Sequence, residues 1–455
     1  MRASFLTSRR KHALMITNHG VHQWQVTPGL PDTGGQNVFV NRFTGELARL
    51  SFRVTVVNRG GYLHPVTGRP QRGVCYGDEQ RRILYLEDGG DEFVRKEEMA
   101  AHIPALAAAL TRFLEAENTP VDLIFSHYWD GARIGQLYRQ TLPAPVPHIW
   151  TPHSLGAIKK RNVSPGQWAE LRIEERITLE RDLLTGGELD GVAATSSALR
   201  QALRDDYGYA GPIYFLPPCV DPDRFHPRQV TDTDPIWEFL SQRSGLTPAE
   251  VRRSRIVTEI SRTDTTKRKK VLIEAFALLQ QRIPDSFLIV SIDQSQAGLA
   301  RDLVGLIRTL GVGDRVAALG SVWDLLPTIY AVTDVYCTPS VMEGFGMSAQ
   351  EAAATGVPVV SSPLVPFVTE YLMGKDVKAQ GDLSVRVGQG AIVVPVDDVM
   401  GFSRALELLL TDDPLRERMG AYAYHITLPY FTWQSRVADF LTQAGLGDAG
   451  VGVGV

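Results

Sequence analysis

One pattern, repeated along the chain, constrains the fold more than any other: a short apolar strand, a loop of Gly, Pro or polar residues, then an amphipathic helix. The first round reads as a strand over 12–17, the loop Pro31-Asp32-Thr33-Gly34-Gly35-Gln36, and a helix over 37–50. In that helix Phe39, Phe43, Leu47 and Leu50 fall at helical spacing. Strands follow at 52–57, 83–86, 122–127, 148–151, 191–196 and 213–216, with helical stretches such as 97–114 and 166–184 between them. Strand–helix alternation of this kind requires parallel sheets with helices on both faces.

The alternation stops at Pro217-Pro218 and at a polar stretch over 221–250 that carries four more prolines. A loop this long is uncommon inside a compact domain, so the domain boundary is expected there. The pattern restarts with strand 255–260, helix 269–282, strand 286–292, helix 299–310, strand 334–338, helix 347–355 and strand 357–361. Strand 391–396 and helix 399–410 end it. The expected organisation is an α/β domain over 1–220, a second over 221–428, and residues 429–455 as a terminal helix (432–444) returning to the first domain, with a disordered Gly/Val-rich tail. Two doubly wound sheets would face each other across a cleft at the carboxyl ends of their strands. Hinges are expected near 217–218 and 428–432.

Composition narrows the partners. Hydrophobic residues are 44% and charged residues 22% of the 455, which excludes disordered and fibrous classes. Lys plus Arg total 47 against 51 acids, a net charge of -4, so nothing draws the chain generally to nucleic acid or an anionic membrane. Cys75, Cys219 and Cys337 are isolated, which fits a reducing compartment and no zinc site. The longest apolar run near the N-terminus, 13–16, is too short for a signal core or a membrane span. A cytoplasmic location is expected.

Four constellations carry chemistry. Gly34 and Gly35 open a helix after a strand, where bare backbone N–H groups and the helix N-terminus suit an anion, although Gly-Gly is also ordinary turn punctuation. The run Ser261-Arg262-Thr263-Asp264-Thr265-Thr266-Lys267-Arg268-Lys269-Lys270 enters another helix. Cations there oppose the helix macrodipole by about 0.3–1 kcal/mol each, which makes sense if a diphosphate sits among them. Arg262 and Lys267 read as its ligands, and Arg268, Lys269 and Lys270 as solvent-facing. Glu343-Gly344-Phe345-Gly346-Met347-Ser348-Ala349-Gln350-Glu351 places one carboxylate at a loop mouth and the other about one helical turn inside the next helix. Carboxylates suit a ligand rich in hydroxyls, and a Glu near a helix start also caps it. Finally, Thr151-Pro152-His153-Ser154-Leu155-Gly156 and His127-Tyr128-Trp129-Asp130 stand at neighbouring strand ends, where α/β sheets bind ligands and where a structural histidine is equally at home.

Together these residues resemble the GT-B glycosyltransferases, specifically the large retaining family (glycosyltransferase family 4) that includes sucrose-phosphate and sucrose synthases. The markers are PDTGGQN, HYWDG, TPHSLG followed by Lys159, Arg176-Ile177 with Glu180, PPCVD, SRTDTTK and EGFGMSAQE, spread over nearly the whole chain. The resemblance implies two Rossmann-like domains. It implies a donor site at Gly34, Gly35, Arg262, Lys267, Glu343, Gly344, Phe345, Gly346, Met347 and Glu351. Arg262 and Lys267 would hold the diphosphate and neutralise its charge as it leaves. Glu351 would bind the ribose, Glu343 the sugar hydroxyls, and His153 the 6-hydroxyl, with His153, Arg262, Lys267 and Glu343 as the catalytic set. Gln36, Lys96, His127, Tyr128, Lys159 and Arg176 would form the acceptor side, the basic residues among them gripping an acceptor phosphate.

The resemblance implies no cofactor and no obligatory metal. Asp221-Pro222-Asp223 has DxD form but lies in the interrupted stretch and reads as a turn. The leading expectation is a retaining hexosyltransferase using UDP-glucose and a phosphorylated sugar such as fructose 6-phosphate. The alternatives are a GDP-mannose-dependent enzyme, a sucrose-synthase-like enzyme, or a nucleotide-sugar sensor without turnover. A membrane-lipid acceptor would call for a basic amphipathic helix, and 166–184 instead mixes Glu170, Glu174, Glu175 and Glu180 with its arginines. Three positions depart from the family pattern: Cys219 stands where Gly is usual, Gly344 where Pro is usual, and Ser362-Pro363-Leu364-Val365-Pro366 where Gly-Gly-Pro is usual. The last two adjoin the expected donor sugar, so glucose and mannose both stay open, as does the oligomeric state.

Overall fold

Strands that are apolar on both faces must be covered on both faces, and each half of the chain does this around its own eight-stranded sheet. The computed structural model describes residues 1–455 except 28–29, 31, 164, 294–295, 321, 376, 380–384 and 447–455, so Pro31 and the tail from 447 lie outside the described residues. The first sheet contains β1 (Lys11–Ile16), β2 (Phe52–Arg59), β3 (Gly73–Tyr76), β4 (Arg81–Leu86), β5 (Leu123–His127), β6 (His148–Thr151), β7 (Gly191–Ala194) and β8 (Ile213–Phe215). Its order is β3-β4-β2-β1-β5-β6-β7-β8, parallel except for the edge strand β3. The second contains β9 (Arg255–Glu259), β10 (Ser286–Ser291), β11 (Val316–Leu319), β12 (Val335–Thr338), β13 (Val359–Ser361), β14 (Lys378–Ala379), β15 (Arg386–Val387) and β16 (Ala391–Val393), in the order β11-β10-β9-β12-β13-β16-β15-β14. Strand order reverses between β1 and β5 in one sheet and between β9 and β12 in the other. Those two reversals are where an open α/β sheet binds ligands.

The chain divides into two compact units, Met1–Pro217 joined by the chain from Trp433 onward, and Pro218–Thr432. In the first unit, Leu14, Ile16, Ile124 and Trp150 pack on one face against Leu106, Leu110 and Ile134. On the other face Phe43 meets Phe125 at 5.0 Å and Phe440 at 5.9 Å, and Phe39 meets Trp433 at 5.0 Å. The terminal helix Trp433–Gln443 is therefore held on helix Gly35–Arg49 by aromatic rings, each contributing about 1.5–3 kcal/mol on burial. In the second unit the two-residue period of the strands splits the core, with Ile256 and Phe287 on one face and Val257 and Leu288 on the other.

The interrupted stretch 221–250 is not one long loop. Helix Pro235–Ser241 starts at Asp234, whose carboxylate accepts from Ile236 N, and helix Pro248–Arg253 starts with a Thr247–Glu250 capping box. The prolines that read as breakers occupy first helical positions, where a missing N–H costs nothing. Similarly, the helix expected over 97–114 is a 3-10 turn, Lys96–His102, followed by helix Ile103–Glu117 with Pro104 in its first turn. The one expected over 166–184 is α-helical only over Ile173–Thr185, entered through Arg172 at φ +46°. Helix Tyr128–Arg139 and the strands β3, β11, β14 and β15 were not expected.

Candidate functional site

The second unit assembles its half at the reversal between β9 and β12. The loop after β9 is stitched to the end of β10: Ser261 N donates to Ser291 Oγ (2.9 Å), Thr263 N to Asp293 Oδ2 (3.1 Å), and Asp293 N to Thr263 Oγ1 (2.8 Å). Asp264 then caps the turn Thr265–Lys267, and Val341 N donates to Thr266 O at 2.8 Å, tying this loop to the one after β12. The result is an ion pair across the reversal, Lys267 Nζ to Glu343 Oε1 at 2.5 Å. Lys267 is buried, while the Arg262 side chain is exposed, 4.0 Å from Asp264.

Beyond Glu343 the chain turns sharply through Gly344, Phe345, Gly346 and Met347. Phe345 anchors the turn among Phe367 (5.5 Å) and Phe431 (5.8 Å). Gly346 sits at φ +110°, and a Cβ there would lie 2.5 Å from Val365 Cγ1, so only glycine fits beside Val365 of the departing 362–366 segment. Helix Met347–Ala354 then presents Glu351 one turn in, where Tyr330 Oη donates to Glu351 Oε2 at 3.3 Å. Burial pushes the Glu351 carboxyl up to about 7, against the pull of Arg224.

Lys269 is not solvent-facing. It is 2% exposed, and its ammonium donates to Glu259 Oε2 (2.5 Å), Ser291 Oγ (2.9 Å) and Ser261 O (3.0 Å). A long side chain in a basic run can fold inward when a buried carboxylate waits for it, and Glu259, ten residues earlier on β9, is 0% exposed. Arg268 pairs with Asp397 at 3.3 Å, and the Lys270 side chain is exposed.

The first unit assembles its half at the reversal between β1 and β5. Gly34 N donates to Asn37 Oδ1 (2.9 Å), fixing the start of the fifteen-residue helix Gly35–Arg49, and Gln36 Nε2 donates to Thr17 Oγ1. His127 and His153, from the ends of β5 and β6, share a 2.8 Å hydrogen bond, Nδ1 to Nε2. Their neighbours are Phe39, 4.9 Å from His153, and Tyr128, 5.3 Å from it. Tyr128 and His153 both stand at positive φ, +56° and +54°. Side chains of that size rarely accept this conformation unless the surroundings impose it. His153 stays neutral, its pKa held down at about 3 by burial and by His19.

Beside these rings, Lys96, Lys159, Arg172 and Arg176 line one recess with Trp129, Glu97 and Glu175. Arg176 is locked by Glu180 (Nε to Oε1, 2.8 Å) and donates to Ser154 O at 2.6 Å. The buried Glu180 also accepts from Gly156 N at 2.8 Å, so one carboxylate positions both the arginine and the loop of His153. Lys96 pairs with Asp32, and Arg172 with Glu175 at 2.6 Å. Among the described residues the Lys159 ammonium has no hydrogen-bond or ion-pair partner. Burial first, then the charges of Arg176 and Lys96, lower it to about 8. A cation destabilised in this way is a place for an anion.

Of the expected acceptor residues, Lys96, Lys159 and Arg176 line this recess; Arg172, which lines it with them, was not singled out, although its i,i+4 spacing to Arg176 was a usable signal. Sequence reading also missed Tyr330, which reaches Glu351 from a distant segment, and Arg224, whose charge acts on that carboxyl. Among the described residues no group of three or more His, Cys, Asp or Glu could hold a metal ion, and no helix is long and apolar enough to cross a membrane.

Comparison with known proteins adds the following. The family model for Glycosyltransferase Family 4 matches residues 33–224, and that for Glycosyl transferases group 1 matches 248–426. The chain is 30% identical over 366 residues to mannosylfructose-phosphate synthase of Agrobacterium fabrum, covering 78% of this chain and 76% of that protein. It is 29% identical over 413 residues to D-inositol 3-phosphate glycosyltransferase of Corynebacterium diphtheriae, covering 89% and 88%. Among solved structures, sucrose-phosphate synthase from Thermosynechococcus elongatus superposes with a TM-score of 0.77 at 23% identity, covering 95% of this chain and 98% of that one.

Proposed function

Because the chain belongs to glycosyltransferase family 4, with two Rossmann-like domains in the GT-B arrangement, we propose that it moves a hexose from a nucleotide sugar to a phosphorylated sugar, with UDP-glucose and fructose 6-phosphate as the first pair to test. The observation that carries the phosphorylated acceptor is the recess in the first unit. Four cations line it; Lys96, Arg172 and Arg176 are each paired with a carboxylate, and Lys159 lacks a partner among the described residues. A dianionic phosphate would restore the charge that burial and its neighbours press out of Lys159. Two relatives from different bacteria also carry a phosphate in the names of their reactions, mannosylfructose-phosphate synthase and D-inositol 3-phosphate glycosyltransferase.

In this reading Arg262 and Lys267 hold the donor diphosphate and stabilise the charge that grows on it as the sugar departs. Lys267 already faces a carboxylate, Glu343, which would pass to the sugar hydroxyls when phosphate oxygens take its place. Gly344 to Met347 shape that pocket, Glu351 accepts from the ribose, and Gly35 offers its backbone N–H at a helix N-terminus, Gly34 N being held by Asn37. Transfer retains the anomeric configuration: the leaving phosphate oxygen accepts the proton of the acceptor hydroxyl on the face where the new bond forms, so neither Glu343 nor Glu351 serves as nucleophile. No metal takes part in this scheme.

A second donor, GDP-mannose, is favoured by one observation: the A. fabrum relative is a mannosylfructose-phosphate synthase by name. The test is nucleotide release from UDP-glucose, GDP-mannose and ADP-glucose, each with fructose 6-phosphate, fructose, glucose 6-phosphate, inositol 3-phosphate or 3-phosphoglycerate. Turnover that requires a phosphorylated sugar supports the reading. Turnover with fructose alone, or none with any pair, overturns it.

A further inference from the structure

His127 is fully buried at the end of β5, under His153 rather than beside any open surface. The two imidazoles stack with centroids 5.1 Å apart and share the 2.8 Å bond between His127 Nδ1 and His153 Nε2. Burial keeps both neutral, and a hydrogen bond between two neutral imidazoles needs one N–H and one lone pair. The pair therefore has two states. Either both rings carry the proton on Nδ1, or both carry it on Nε2.

One observation separates these states. His127 Nε2 is buried with no hydrogen-bond partner among the described residues. Protonating it would leave a donor orphaned in the core, and orphaned buried N–H groups are rarer in folded proteins than under-used acceptors. That places the His127 proton on Nδ1, so His153 accepts at Nε2 and carries its own proton on Nδ1. His153 Nδ1 has no protein partner among the described residues, and the ring is partly exposed.

We propose that His127 is a positioning residue that fixes His153 as its Nδ1–H tautomer, so that His153 meets a ligand oxygen as a hydrogen-bond donor. The strained φ of +54° at His153 belongs to the same device, since it sets the ring over His127. The proposal rests on the reading of His153 as a sugar contact, but its tautomer can be measured without a ligand.

The experiment is long-range 1H–15N correlation on the full chain labelled with 15N-histidine, the His153 signals being identified by their loss in His153→Gln. The expected pattern is protonated Nδ1 and bare Nε2 for His153, unchanged from pH 6 to pH 8. In His127→Asn, whose amide N–H can stand where Nδ1–H stood, the pattern should persist and kcat/KM should fall less than in His127→Phe. In His127→Phe the tautomers should mix and kcat/KM should fall by about tenfold, the worth of one hydrogen bond. A His153 protonated on Nε2 in the unaltered protein overturns the proposal, as does equal loss in the Asn and Phe variants. If the spectra agree but His153→Gln keeps full activity, the tautomer stands and the sugar-contact reading falls instead. Should His127→Phe fail to fold, the spectrum of the unaltered protein still decides.

Discussion

Replacing Glu351 by Gln should stabilise the protein at neutral pH while damaging its proposed work. In the folded chain the Glu351 carboxyl is pushed from an ordinary 4.5 up to about 7, chiefly by burial. Between those two values the folded state binds more protons than the unfolded one, so stability falls as pH rises from about 4.5 and levels off above about 7. At 1.36 kcal/mol per pH unit, the full gap amounts to about 3 kcal/mol. Gln cannot ionise and keeps the shape and the Tyr330 contact. Glu351→Gln should therefore match the unaltered protein near pH 4.5 and exceed its stability by up to about 3 kcal/mol at pH 8, a rise of roughly 6–12 °C in Tm for a unit of this size. Donor KM should rise in the same variant, since an amide accepts a ribose hydroxyl less strongly than a carboxylate. Differential scanning calorimetry of both proteins from pH 5 to pH 8 checks the first part. A Tm difference that does not change with pH would refute the burial argument, and a donor KM left untouched would refute the ribose assignment.

Lys269→Met should leave Glu259 buried and unpaired and cost about 3–5 kcal/mol in denaturant unfolding, while Glu259→Gln with Lys269→Met should recover most of the loss. Acceptor KM should climb as pH passes about 8, where the Lys159 ammonium loses its proton, and Lys159→Met should flatten that rise in initial-rate assays. Lys267→Ala should lower kcat by roughly tenfold or more, because the cation beside the departing diphosphate is gone. Its unfolding midpoint should barely move, since the partner Glu343 is partly open to solvent.

The doubly wound sheets were legible because their central strands are apolar on both faces and alternate with helices of clear period. The edge strands escaped notice for the opposite reason. β3 alternates between exposed and half-buried residues, and β14 and β15 are two residues each. Pro235 and Pro248 misled because proline punctuates a loop and opens a helix with equal ease, and only the preceding Asp234 and Thr247 caps distinguish the cases. In the sites, residues at strand ends could be picked out one motif at a time. What the sequence hides is pairing at a distance: Lys269 folded inward onto Glu259, and Tyr330 on Glu351. Each depends on tertiary packing that no local spacing encodes.

The claim that matters most is that the cationic recess recognises a phosphate on the acceptor. The direct measurement is kcat/KM for the sugar phosphate that turns over and for the same sugar without its phosphate, in the unaltered protein and in Lys159→Met. A strong preference for the phosphorylated sugar is expected. The variant should lose about ten- to a hundredfold on that substrate alone, the worth of one charge-assisted hydrogen bond. Equal use of both sugars, or an equal loss on both in the variant, would contradict it.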